Sequence, residues 1–528
     1  REAAVGRLRE RKGREAKPLA LMVPDLAAAE QVGVVSAEER SLLASAARPI
    51  VLVRERPGSA VARAVAPGLG WLGVMLPYAP LHHLLFATAG CPPALVLTSG
   101  NRSEEPIATE DAEARARLAG IADAFLLHDR PIHVRCDDSV TRAEAGGELP
   151  IRRSRGYAPF PVRLPFEAPP LLGCGAELKS TVCLTAGRYA FVSPHIGDLQ
   201  NYETYVAYEA MVAHLAALFR VRPEAVAHDL HPEYLSTSYA RRLDATLPRI
   251  AVQHHHAHVA ACMAEHGLTG PVIGIAFDGA GYGTDGHVWG GEVLVADYGG
   301  FTRAAHLGEV PLPGGDRAAR EPFRMALAHL RHAGVGWEPD LAPVAEAGEA
   351  ERRMIARQLE GGLNAPPTSS VGRLFDAVAS LLGVRHRARY EAQAAMELEA
   401  LADPAAGDVY PLAITGDAPA VLDPGPTIRA IVADVRAGVP APIVVGRFHQ
   451  TLVAAIAELC GGIRAATGLR RVVLSGGVFQ NVTLLAGARR ALVRAGFEVF
   501  SHHVVPPNDG GIALGQVAVA RARLAGRE

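Results

Sequence analysis

Four histidines fall within five residues of the segment VQHHHAHVA: His254, His255, His256 and His258. On a helix, His254 and His258 are four apart and share a face, so they offer two imidazoles to one metal ion, while His255 and His256 point elsewhere. No glutamate stands between them as it does in HExxH, so a metalloprotease would lack its hydrolytic base. A further ligand is needed, and Asp509 in VVPPNDGGIALGQ supplies a carboxylate at a turn leading into a small-residue helix. Two histidines and a carboxylate leave coordination positions for water, phosphate or substrate, and suit iron or zinc equally. Helix capping is the competing reading of Asp509, since aspartate is a preferred N-cap.

Glycine turns follow apolar strand-like runs at two other places. IAFDGAGYGTDG carries Asp278, Gly279, Gly281 and Gly283, and VVLSGGVFQN carries Ser475, Gly476, Gly477 and Asn481. Without a Cβ, glycine lets backbone amides approach phosphate oxygens, and Asp278 has the chemistry to orient a metal ion or a water. Neither turn is GxGxxG or GxxxxGK[ST], so a dinucleotide fold and a P-loop are both disfavoured. A third strand edge, GCGAELKSTVCL, holds Glu177, Lys179, Ser180 and Thr181, where Lys179 is placed to neutralise phosphate. Three such turns beside a metal-type histidine pair point to nucleotide binding.

Near the start of the chain, Lys12 and Arg14 precede the strand-like LALMV, and Ser99-Gly100-Asn101 follows the strand-like ALVL. Read as an extended segment, positions 12 and 14 face the same way and together suit a triphosphate. The hydroxyl, amide and backbone donors of the second turn suit a small carboxylate or carbamate beside that phosphate. The first fourteen residues carry six basic and two acidic side chains, and a solvated helix start is the competing reading. The segments IHVRCDDSV and IRRSRG add Arg135, Asp137, Asp138, Arg152, Arg153 and Arg155, a mixed cluster placed to close over a nucleotide.

The elements that must position these residues are those of an α/β protein. Short apolar runs (PLALMVPD, PIVLVRE, ALVLTSGN, IADAFLLHD) alternate with alanine-rich stretches before a proline-rich segment. A domain boundary near Phe166 divides the chain into residues 1–166 and 167–528. In the second part, YVAYEAMVAHLAALF and SVGRLFDAVASLLGV repeat apolar residues three and four apart and predict long helices between the strand-turn segments, giving a two-lobed ligand-binding body. Residues 340–368 read as a surface helix followed by a loop, and 402–440 as short strands broken by proline and glycine.

A length of 528 residues implies more than one core, and a formal charge of −2 offers no dense basic face for nucleic acid. The six cysteines form no CxxC pair, which argues against a zinc module or a disulfide scaffold and fits a reducing, cytoplasmic setting. No uninterrupted apolar run reaches the roughly eighteen residues of a membrane span, and no signal-type N-terminus is seen.

Taken in order, the landmarks RKGREAKPLALM, GVMLPYAPLHHLLF, LTSGNRSEEPI, LLHDRPIHVRCDDSV, GAELKSTVCL, SPHIGDLQN, HDLHPEYLSTSYA, VQHHHAHVAA, GRLFDAVASLLG, YEAQAAMELE, LSGGVFQN and PPNDGGIALGQ resemble the HypF family of hydrogenase-maturation carbamoyltransferases. The resemblance implies a YrdC-like α/β domain followed by a two-lobed Kae1-like domain of the actin/sugar-kinase ATPase type. It implies that Lys12, Arg14, Ser99 and Asn101 line a site where ATP, with Mg²⁺, and a carbamate derived from carbamoyl phosphate form carbamoyl adenylate. It further implies a metal, iron or zinc, on His254, His258 and Asp509, with nucleotide phosphates and adenosine at the glycine turns Asp278 to Gly283 and Ser475 to Gly477; Lys179, Ser180 and Asn481 join the nucleotide set on their own positions beside those turns. The acceptor it implies is the C-terminal cysteine of a HypE-like partner, so none of the chain's own cysteines needs to react. Full members also carry an acylphosphatase-like domain and zinc-finger motifs. These, with the first strand of the YrdC-like domain, are not found here, so the sequence is expected to be a partial chain. The competing functions are a small-molecule O-carbamoyltransferase, whose domains resemble these in the opposite order, and an ATP-gated docking module with a structural metal.

Overall fold

The computed structural model describes residues 1–103, 105–144, 147–403 and 405–526. They form two compact units that exchange segments: Arg1–His228, Pro232–Ile250 and His503–Val517 make the first, and Asp229–His231, Ala251–His502 and Ala518–Glu528 the second.

In the first unit, a seven-stranded mixed sheet runs in the order Leu95–Leu97, Ala20–Met22, Trp71–Met75, Ile50–Glu55, Val140–Glu144, Gly147–Arg152, with Gly33–Val34 added beside Ile50–Glu55. The period of two is plain in Ile50–Glu55, where Val51 and Val53 are buried between more accessible neighbours and sit opposite Val74 and Leu72. Three strands follow the apolar runs expected from sequence. The run IADAFLLHD is not a strand, whereas Trp71–Met75, Val140–Glu144 and Gly147–Arg152, not anticipated, are.

The basic segment at the start is a helix, Glu2–Lys12, with Val5, Arg9 and Lys12 buried at helical spacing. It ends at Gly13, whose φ of 66° is the left-handed C-cap that glycine adopts without a Cβ penalty. The extended reading of positions 12 and 14 is therefore corrected: Lys12 ends a helix and Arg14 lies beyond its cap.

A second sheet, of five strands, follows in the order Arg249–Val252, Ala225–Asp229, Leu171–Gly173, Cys183–Val192, Val162–Ala168. Position 166 lies in the last of these, an edge strand, which tolerates Pro165 because one side of it has no ladder partner to lose. Helix Tyr202–Phe219 covers this sheet through Tyr208, Met211, Val212 and Leu215.

In the second unit, a nine-stranded sheet is built on Val272–Tyr282, which pairs antiparallel with Val288–Ala296 and parallel with Arg471–Ser475. The five-stranded sheet has the same plan: Leu171–Gly173 has an antiparallel neighbour on one side and a parallel one on the other. The two sheets thus share a duplicated plan. Helix His254–Glu265 is buried along nearly its whole length. Helix Val371–Leu381 is capped by Ser370. The 27-residue helix Ala441–Thr467 is long and apolar enough to cross a membrane by length and composition, but 67% of its apolar window is buried inside the protein. Residues 342–361 do form surface helices, while the broken-strand region after 402 also contains helix Gly425–Arg436.

The segment His503–Val517 completes the first unit rather than the second. Gln516 Oε1 accepts from Gly175 N at 2.7 Å while its Nε2 donates to Gly175 O at 2.9 Å, and Thr181 Oγ1 donates to Gly510 O at 3.0 Å.

Candidate functional site

In the second unit, Gln253 caps helix His254–Glu265 by accepting from His256 N at 2.9 Å, which fixes the first turn and all four histidines. His254 Nδ1 lies 2.8 Å from Asp229 Oδ2. With the proton on Nδ1 shared with that carboxylate, Nε2 presents a lone pair. That atom lies 3.3 Å from Asp278 Oδ2, and His258 Nε2 lies 3.4 Å from the same oxygen. Burial alone would raise the Asp278 carboxyl, but His254 and His258 hold it well below the usual carboxylate range. Two imidazole nitrogens converging on one buried carboxylate oxygen are satisfied by protons on the imidazoles or by a metal ion in their place. The ligand atoms of His254, His258 and Asp278 all lie within 4.8 Å of one another. The donor set fits iron or zinc.

The neighbouring histidines do other things, as their helical positions require. His256 Nε2 lies 2.6 Å from Asp297 O. His255 Nδ1 lies 3.2 Å from Gln253 Nε2, and burial beside His254 holds its imidazole well below its ordinary pKa. Gly281 passes against these rings, and a Cβ there would lie 2.6 Å from both His254 Cδ2 and His255 Cε1. At Gly283 a Cβ would lie 2.3 Å from Trp289 Nε1, so both glycines admit side chains of the fold itself. At Gly279, by contrast, the nearest atom is Arg373 Nη2 at 3.8 Å.

The second glycine turn is joined to the first: Gly477 N donates to Asp278 Oδ1 at 2.9 Å, and Gly476, at φ 97°, lies against the Phe277 backbone. Ser475 is fully buried, with its hydroxyl donating to His258 O at 2.9 Å and lying 2.8 Å from His502 Nε2. Its side chain thus braces the histidine helix from behind. Asn481 caps helix Val482–Arg494 through Leu484 N, with its amide 2.8 Å from His449 Nε2. Both side chains are therefore occupied within the fold.

In the first unit, Lys12 is 3% exposed and its ammonium donates to Ser99 O at 2.6 Å, Asn101 O at 2.7 Å and Asn101 Oδ1 at 2.8 Å. Ser99 Oγ donates to Asn101 Oδ1 at 2.8 Å. Burial, with Arg14 nearby, lowers Lys12 to about 8 against the pull of Asp137. Arg14 is likewise lowered to about 10 by burial, then by Arg152 and Arg9, and its guanidinium donates to the carbonyls of Lys17 and Pro18. Arg9, on the same helix and without a sequence signal of its own, positions this loop by donating to the carbonyls of Ala64, Val65, Arg14 and Lys17.

Of the mixed cluster, Arg153 donates to the carbonyls of Val192, Tyr157 and Phe160, and Arg155 pairs with Asp138 at 2.7 Å, so both hold structure. At the third turn, Lys179 lies at φ 48° with its amide donating to Asp198 Oδ1, and Ser180 has a fully buried hydroxyl without a hydrogen-bond partner among the described residues. Asp509 opens the short turn Asp509–Gly511 in the first unit, where the capping oxygen comes from Asn508, one residue earlier. All six cysteines are unpaired, and burial pushes the thiols of Cys174 and Cys460 up to about 12 and that of Cys262 well above its ordinary value. None of these three is activated as a nucleophile.

The chain matches three sequence families in succession: residues 1–154 the Sua5, YciO and YrdC family described as telomere recombination, 166–265 the HypF Kae1-like domain, and 274–516 the second subdomain of the carbamoyltransferase Kae1-like domain. Carbamoyltransferase HypF2 of Cupriavidus necator is 47% identical over 98% of this chain, which spans 69% of that protein's length. A probable carbamoyltransferase HypF of Methanocaldococcus jannaschii is 33% identical over 96% of the chain. Among solved structures, full-length HypF in a phosphate- and nucleotide-bound form superposes with a TM-score of 0.95 at 46% identity, covering 99% of this chain and 82% of its own. On these matches over nearly all of its length, the chain belongs to the HypF family of carbamoyltransferases.

Proposed function

We propose that this carbamoyltransferase makes carbamoyl adenylate in its YrdC-like part, residues 1–166, and transfers the carbamoyl group in its Kae1-like part, residues 167–528, to the C-terminal cysteine of a HypE-like protein. The observation that carries the first step is the direct contact between two motifs 87 residues apart, Lys12 donating into the Ser99–Asn101 turn. A buried ammonium beside Arg14 places two positive charges where a triphosphate loses pyrophosphate. The carbamate oxygen attacks the α-phosphorus, and the bond to the β-phosphate bridging oxygen breaks with its electron pair leaving on pyrophosphate. Mg²⁺ bound with the ATP supplies further neutralisation of the developing charge. Ser99 and Asn101 orient the carbamate, whose donor is carbamate itself or carbamate released from carbamoyl phosphate.

In the Kae1-like part, His254 and His258 are proposed to hold iron or zinc together with Asp278, and Asp509 is carried as a further ligand on the sequence argument. A bound metal supplies Lewis-acid polarisation of an oxygen of the adenylate. Lys179, Ser180, Asp278, Gly279, Gly476 and Gly477 remain the proposed nucleotide contacts, by backbone or side chain. The partner thiolate attacks the carbamoyl carbon, and the carbon–oxygen bond breaks with its electron pair leaving on AMP. The unpaired cysteines support a reducing, cytoplasmic setting.

The test is incubation with ATP, Mg²⁺, labelled bicarbonate with ammonium, which equilibrate with labelled carbamate, and a peptide ending in cysteine, with mass spectrometry of the peptide and a pyrophosphate assay. Label on the thiol with pyrophosphate release supports both steps. Pyrophosphate release without label on the thiol removes the protein acceptor, and neither product removes the assignment of Lys12, Arg14, Ser99 and Asn101.

A further inference from the structure

Helix Val371–Leu381 begins backbone to backbone against the first glycine turn. Ser370 Oγ lies 2.9 Å from Asp278 O and 2.7 Å from Gly279 O, and a Cβ at Gly372 would lie 2.9 Å from Gly279 Cα. One helical step further on, Arg373 is carried to the same turn. Its side chain is 12% exposed and its Nη2 is the nearest atom to the vacant side of Gly279, 3.8 Å from where a Cβ would stand.

The guanidinium has five N–H donors, and its partnering is thin. Asp376, one turn along the helix, has an oxygen 3.0 Å from Nη1, but neither Nε nor Nη1 makes a hydrogen bond of good geometry among the described residues. Arg324, also buried, has its Nε hydrogen-bonded to Glu321 at 2.5 Å, with Nη2 its only buried nitrogen unpartnered among the described residues. A desolvated guanidinium with one imperfect ion pair is costly unless it has a second anionic partner, and its planar fork matches two oxygens of a phosphate. The Ser370 hydroxyl shares its one proton between the carbonyls of Asp278 and Gly279 and so turns both toward itself.

We propose that Arg373 receives the phosphate of the nucleotide bound in this unit, its fork taking two non-bridging oxygens at the open face of Gly279, with Asp376 as the positioning residue that holds the fork. In transfer from carbamoyl adenylate, this places a positive charge beside the phosphate that takes the bond pair when the carbamoyl–oxygen bond breaks. The proposal rests on the reading of the Kae1-like part as the nucleotide-binding transfer site.

The test uses the full chain carrying Lys12→Met, so that the first site does not contribute, and titrates AMP and adenosine separately by calorimetry. Adding Arg373→Met is expected to weaken AMP roughly 10- to 100-fold while changing adenosine by about twofold or less. Arg373→Lys, which keeps the charge and the fold but loses the fork, is expected to weaken AMP by roughly 3- to 10-fold. Unchanged AMP affinity in Arg373→Lys, or AMP and adenosine weakened in parallel, overturns the proposal. Adenosine binding that persists with an unaltered AMP preference sinks the role of Arg373 and leaves the transfer-site reading standing. A parent that binds neither ligand overturns both.

Discussion

Asp229 Oδ2 lies 2.8 Å from His254 Nδ1, and neither side chain has any exposed surface. A carboxylate in that position sets the tautomer of the imidazole and raises the basicity of the opposite nitrogen, the one turned toward Asp278.

Replacing Asp229 with asparagine keeps the shape, removes the charge and permits the amide to donate toward Nδ1. Metal affinity is expected to fall about 10- to 100-fold, measured by competition with a chromogenic chelator. Affinity within twofold of the parent would mean that Asp229 only fills space.

Gly281→Ala would drive a methyl group to 2.6 Å from both His254 and His255, where the surrounding rings are buried. The expected cost is about 1–3 kcal/mol of stability with weakened metal retention, since overpacking there displaces the imidazoles. Gly279→Ala, with its nearest atom 3.8 Å away, is expected to lose under about 1 kcal/mol. Equal denaturation midpoints for the two variants would refute the assignment of Gly281 to ring packing.

Lys12 gives a pH dependence. Its folded pKa of about 8 lies below the ordinary 10.5, so between those values the unfolded chain binds the extra proton and stability rises with pH. The penalty of the buried ammonium is fully present below about pH 8 and is relieved as pH rises through that window. Pyrophosphate release follows the opposite course, falling above about pH 8 as the ammonium is lost. Lys12→Arg is expected to move that limb upward, and an unchanged limb would place the titrating group elsewhere.

Ser475→Ala removes the hydroxyl that bridges His258 O and His502. A loss of about 1–2 kcal/mol in a denaturant melt is expected, with AMP affinity within about twofold. A tenfold loss of AMP affinity without destabilisation would return Ser475 to the nucleotide site.

Much of this site was legible because its information is local. Two histidines four apart on an uninterrupted helix, and glycine turns after apolar strands, are visible within a dozen residues. Asp229 was not, because its partner is 25 residues away and AVAHDLHP carries no signal beyond a strand end. Arg373 was hidden for the same reason: its place at Gly279 exists only once helix Val371–Leu381 docks on the turn. In sequence Lys12 and Arg14 read as extended neighbours because alternation over three residues looks the same in a strand and across a helix end; the left-handed cap at Gly13 decides the matter. In sequence, the missing Cβ of Gly281 suggests a phosphate turn. The missing Cβ does matter, but the rings it admits are His254 and His255.

The chain's return through His503–Val517 has a consequence for the order in which the protein is made. Gly175 and Thr181 wait for Gln516 and Gly510, so the first unit lacks part of its interior when Ile250 has been synthesised. Some 270 further residues must leave the ribosome before that gap closes, roughly 15–50 s at ordinary elongation rates. During that interval the second half grows out before the first has its last segment. Completion of the first unit is therefore a late event in the synthesis of the chain.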